Sequence, residues 1–95
     1  METSHGYTAG TIRSALEITK AEPPKGKRLP SEQKIRDYAK QNNMYSFLYG
    51  SGRHKFFLVH ESRIEELVQG MGISVDTESL YRSLEQINKE LYGRE

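Results

Sequence analysis

Apolar positions recur along this chain in two rhythms, and each change of rhythm marks an element. Ile12, Ala15, Leu16 and Thr19 fall on one side at helical spacing, which predicts a helix from Ile12 to Glu22 with Thr11 as N-cap. Pro23-Pro24 must stop it, because neither ring nitrogen donates and each ring pushes the preceding residue out of helical geometry. After a basic linker over residues 23–30, Ser31 is placed to cap a helix from Glu32 to about Asn42, with Ile35, Tyr38, Ala39 and Asn42 as its inward stripe. Its other surface holds Gln33, Arg36, Asp37, Lys40 and Gln41, and Asn42-Asn43 suits a left-handed stop.

The rhythm then switches to period two. Met44–Tyr49 and His54–His60 are aromatic and β-branched runs around Gly50-Ser51-Gly52-Arg53, the composition of a β-hairpin. Tyr45, Phe47 and Tyr49 share one face of the first strand, and Lys55, Phe57 and Val59 alternate with Phe56 and Leu58 in the second. Ser62-Arg63-Ile64-Glu65 reads as a capping box ahead of Ile64, Leu67, Val68 and Met71, with Gly70 and Gly72 at the end. A last helix runs from Asp76 or Thr77 to Tyr92, with Leu80, Leu84, Ile87 and Leu91 as an amphipathic stripe. That stripe must bury itself, either by docking on the rest of the chain or against a second copy or partner.

These elements predict an α+β fold, a small winged-helix-like domain of helix–β-hairpin–helix order with an N-terminal helix and an amphipathic C-terminal helix at 77–92. Ninety-five residues allow one core. The expected organisation is a flexible tail over 1–10 and a single domain over 11–95. Counting glycine and leaving out tyrosine, apolar residues are about 37% of the chain, below the roughly 45–50% of an ordinary globular domain. Part of the chain is therefore expected to lie outside the packed body.

Composition removes several classes of chemistry. The chain has no Cys, which excludes disulfide frameworks and thiolate metal sites and favours a cytoplasmic location. Its longest apolar run, Phe56-Phe57-Leu58-Val59, is too short for a bilayer, and no signal-peptide core begins the sequence. His5, His54 and His60 form no helical metal-ligand pair, and Ser51 lacks the strand-to-helix setting of a nucleophile elbow. The sequence predicts a protein that is not an enzyme, with no metal and no cofactor.

Charge points elsewhere. The net charge of +1 conceals a basic centre, since residues 20–60 carry nine Lys or Arg against three acids while residues 61–95 carry four against eight. Such polarity fits an anionic partner for the middle segment. A helix exposing Gln33, Arg36, Lys40 and Gln41, followed by a hairpin tipped with Ser51, Arg53, His54 and Lys55, has the order of a recognition helix and a wing. Arg reads guanine and Gln reads adenine in the major groove, while a wing reaches phosphate or the minor groove. Lys25, Lys27 and Arg28 in the linker add backbone contacts, and Tyr45, Tyr49 and the Gly50 and Gly52 amides are further phosphate donors.

Three stretches, Lys34 to Tyr45, Leu48 to Val59 and His60 to Leu67, resemble the DNA-binding core of phage and conjugative-transposon excisionases over about residues 31–69. The resemblance implies a small winged-helix DNA bender that directs a tyrosine recombinase toward excision and has no active site of its own. It implies recognition-helix contacts at Gln33, Arg36, Lys40 and Gln41 and wing contacts at Arg53, His54 and Lys55. The eight-residue spacer from Pro23 to Pro30 departs from the family's tight helix-to-helix turn, and the final helix is an extension. The expected function is an accessory duplex-DNA-binding protein of a mobile element, acting in recombination or transcription. The rival is a protein-interaction module, an inhibitor or adaptor, using the hairpin and Leu80, Leu84, Ile87 and Leu91 as a partner or homodimer surface. Single-stranded nucleic-acid binding on the tyrosine-rich hairpin is a third reading.

Overall fold

Buried aliphatic side chains on four helices and one strand hold this chain together. The computed structural model describes residues 6–49 and 55–92, with backbone alone for 46–49, 55, 56, 91 and 92. The order is β1 (Gly6–Tyr7), α1 (Ala9–Ile18), α2 (Glu32–Gln41), β2 (Tyr45–Tyr49), β3 (Lys55–His60), a 3-10 turn (Glu61–Arg63), α3 (Ile64–Gly70) and α4 (Thr77–Tyr92). The strands form an antiparallel sheet in the order β1-β3-β2. The result is the α+β, winged-helix-like arrangement expected from the periodicity, a helix–hairpin–helix unit with helices at both ends.

Residues 6–10 belong to the folded body, which corrects the expected tail for that stretch. Gly6 pairs with His60 and Tyr7 with Val59, and Tyr7 is only 6% exposed. Two paired residues are too short to show a period, so only the tyrosine hints at them. Thr8, not Thr11, caps α1: its hydroxyl oxygen accepts from the Thr11 N–H at 3.2 Å, and Thr11 itself is buried.

α1 also stops early, before its prolines. The Ala21 N–H reaches the Leu16 carbonyl at 3.0 Å and the Lys20 N–H reaches Glu17 at 3.1 Å, a Schellman closure with Lys20 at φ 58°. α2 closes in the same way through Asn43 (φ 56°), as expected for Asn42-Asn43, with Met44 donating to Ala39 at 2.9 Å. α3 closes through Gly72 (φ 76°), with Ile73 donating to Val68 at 2.9 Å. The residue after each left-handed position, Ala21, Met44 or Ile73, is buried, so each stop also feeds the core.

Ser31 caps α2 as expected, accepting from Lys34 N–H at 3.2 Å. The inward stripe is Ile35 and Ala39 with half-buried Tyr38; Asn42 is exposed and donates to the Tyr38 carbonyl at 2.9 Å. The Ser62 capping box does not form. The chain leaves β3 straight into a 3-10 turn, so Ser62 lies inside that turn and α3 begins after Arg63 without a side-chain cap. Asp76 caps α4 through Ser79, with 2.8 Å to the hydroxyl and 3.1 Å to the backbone N–H.

α4 docks on the rest of the chain. Leu80 and Leu84 are fully buried among Ile12, Leu16, Ile64 and Leu67, and Ile87 packs against that cluster. Leu80 and Leu84 are core residues of this chain, which corrects their assignment as an oligomer or partner interface; Ile87 is part-buried, and the Leu91 side chain lies outside the described residues. The Tyr81 hydroxyl donates to the Glu61 carbonyl at 3.2 Å, tying α4 to the turn after β3. No described helix is long and apolar enough to cross a membrane.

Candidate nucleic-acid interface

α2 and the hairpin meet along a cationic seam. Register places Tyr45 opposite Val59 and Phe47 opposite Phe57, so Tyr45 and Phe57 share a sheet face diagonally. Their rings stack at 5.0 Å between centroids and 12° between planes. Over Phe57 stand two cations of α2, the Arg36 guanidinium carbon at 6.0 Å and the Lys40 Nζ at 5.9 Å from the ring centroid. Both distances lie within reach of the ring quadrupole.

This placement amends the expectation that Arg36 and Lys40 lie directly opposite the buried stripe. They sit on the flank of α2 that faces the sheet. Arg36 is 37% exposed along its side chain, with Glu32 at 3.8 Å as a loose ion pair and its Nε buried without a hydrogen-bond partner. Lys40 is exposed. Gln33 and Gln41 are exposed too, and Gln33 Nε2 donates to Asp37 Oδ1 at 2.9 Å.

On the other flank of α2, Lys34 joins Lys27 and Arg28 in lining an open groove of about 460 Å³, together with Leu29, Pro30 and Met71. Lys25 is exposed in the same connector. The connector is held in place: the Glu22 N–H reaches the Ser74 carbonyl and the Ser74 N–H the Glu22 carbonyl, each at 2.8 Å. The Lys27 N–H also reaches the Pro24 carbonyl at 2.9 Å, across a turn with Gly26 at φ 78°, the position where a type II turn needs glycine. Among the expected wing residues, Ser51, Arg53 and His54 and the Gly50 and Gly52 amides lie outside the described residues. So does the Lys55 side chain, although its backbone pairs with Tyr49.

The acids of the C-terminal third gather elsewhere. Burial, then the Glu61 and Glu85 carboxylates, push the Tyr7 phenol above its ordinary value, and burial with Glu65 does the same for Tyr81. The charge polarity of the sequence is thus matched by an acidic environment around β1 and α4. Two features escaped the sequence reading: Phe57 as the platform for the α2 cations, and Lys34 as a wall of the groove. Only the two-residue offset between Lys34 and Arg36, which puts them on different sides of a helix, hinted at the second. Among the described residues no group of three or more His, Asp or Glu is placed to hold a metal. No protein-family model matches the chain, and no curated protein or solved structure matches it significantly.

Proposed function

We propose that this protein binds duplex DNA through α2 and the β2–β3 hairpin, as a small accessory factor in site-specific recombination or transcription that performs no covalent chemistry. The observation that carries this reading is the convergence of Arg36 and Lys40 on Phe57. It sets two cations of α2 beside β3 of the hairpin, which supports a recognition helix working next to a wing. A loosely paired guanidinium and an exposed ammonium keep donors for phosphate or for a guanine edge. The excisionase resemblance over residues 31–69 supports the same surface and adds the recombination role.

The protein-interaction rival has a different surface to use. Leu80 and Leu84 are in the core, but Ile18 is 60% exposed beside a shallow groove with Ser83 and Gln86 of α4. Fluorescence anisotropy with labelled duplex DNA, single-stranded DNA and RNA at two salt concentrations separates the readings. Duplex affinity that exceeds the others and falls steeply with salt is the expected result. Absence of duplex binding, with self-association or partner capture insensitive to salt, would contradict it.

A further inference from the structure

The two flanks of α2 carry separate sets of cations, and the ridge between them does not. At 100° per residue, Lys34 lies about 200° around the helix from Arg36. Contacts agree with that geometry: Arg36 and Lys40 lean on Phe57 of β3, while Lys34 lines the groove with the connector and Met71. Between the flanks, facing away from Ile35 and Ala39, run Gln33 and Asp37, joined by their 2.9 Å hydrogen bond.

Asp37 decides what this ridge can meet. An exposed carboxylate repels a phosphodiester, yet it accepts a hydrogen bond from a cytosine amino group, and Gln33 pairs with adenine. The ridge is therefore suited to base edges. The groove is suited to phosphate, because its charged lining residues are Lys27, Arg28 and Lys34, all three exposed, and no carboxylate lines it. Its wall is ordered backbone, fixed by the Glu22–Ser74 pair and the Gly26 turn. A helix with its side chains is about 10–12 Å across and a major groove about 12 Å wide, so cations on both flanks meet backbones on both sides.

Resting on the duplex-DNA reading, we infer that the Lys27–Arg28–Lys34 groove holds the phosphodiester backbone of one strand while Arg36 and Lys40 hold the other. α2 is then clamped in the major groove from both sides, with Gln33 and Asp37 against the bases. A single strand satisfies one flank only, so the clamp makes the protein selective for duplex.

The test is anisotropy of the full-length chain with a labelled duplex and with one of its strands, across a salt series. Wild type is compared with Lys27→Ala/Arg28→Ala/Lys34→Ala and with Arg36→Ala/Lys40→Ala. The triple variant is expected to lower the duplex slope of log affinity against log salt by about 2–3, at roughly 0.9 per phosphate released. Its affinity for the single strand should stay within about twofold of wild type, the slope being the primary readout. Lys27→Gln/Arg28→Gln, which leaves α2 untouched, should lower the slope by about 2 and guards against misfolding of the triple variant. An unchanged duplex slope in both groove variants, with a reduced slope in Arg36→Ala/Lys40→Ala, overturns the clamp and leaves the DNA reading standing. Equal losses on duplex and single strand also overturn it. If wild type binds no duplex, the reading and the inference fall together.

Discussion

Arg36 joins structure and proposed binding in one side chain. Its guanidinium stands over Phe57, as the Lys40 ammonium does, so Arg36→Ala and Lys40→Ala should each cost about 0.5–1 kcal/mol of stability as well as duplex affinity. Thermal melts beside anisotropy separate the two effects. Both residues were legible as surface cations from their place outside the Ile35–Ala39 stripe. Their lean toward the hairpin was not, because it depends on where β3 passes α2. Tyr7 gives a pH prediction. Its phenol ionises at about 10 in the unfolded chain and higher in the fold, because burial and then Glu61 and Glu85 oppose the phenolate. The stabilisation is therefore complete below about pH 10 and is lost as pH rises through the folded value. Melting temperature should fall through the alkaline range, and Tyr7→Phe should flatten that fall.

Helix ends decide the connections. Lys20 and Asn43 hold left-handed backbone that costs a residue with a Cβ roughly 1 kcal/mol, least for asparagine. Lys20→Gly should therefore raise stability by about 0.5–1 kcal/mol in urea denaturation. Gly72→Ala should lower it by a similar amount or more, because its φ is 76° and an added Cβ would stand 3.0 Å from Pro24 Cγ. The stops at Asn43 and Gly72 were readable because those residue types favour this geometry. The stop at Lys20 was not, since lysine has no such preference, and Pro23-Pro24 offered a later and more conspicuous ending. The Ser62 box failed for a related reason: spacing alone does not reveal that β3 runs into a 3-10 turn before α3 begins. β1 was invisible because its two residues gain their structure from Val59 and His60, more than fifty positions away.

Across the whole molecule, α1 sits among α2, α4 and β3, and the apolar stripe of α4 closes the core. The 4-3-4 spacing of Leu80, Leu84, Ile87 and Leu91 made the stripe legible, but docking and dimerisation demand the same pattern, so only the folded chain distinguishes them. Leu84→Ala should consequently destabilise the protein by about 2–5 kcal/mol, a large part of a small domain's stability, with no change of oligomeric state attributable to a lost interface. Urea denaturation and sedimentation check the two halves of that statement. The basic middle and acidic end of the sequence foretold polarity, and the fold turns it into two cationic flanks of α2 with acids around Tyr7 and Tyr81. The most direct test of the duplex-binding surface is a titration of isotopically labelled protein with duplex DNA, followed by amide chemical shifts. The account predicts that perturbations concentrate on residues 25–41 and on β2–β3, and vanish at high salt. Perturbations centred on Ile18 and the outer face of α4, or none at all, would contradict it.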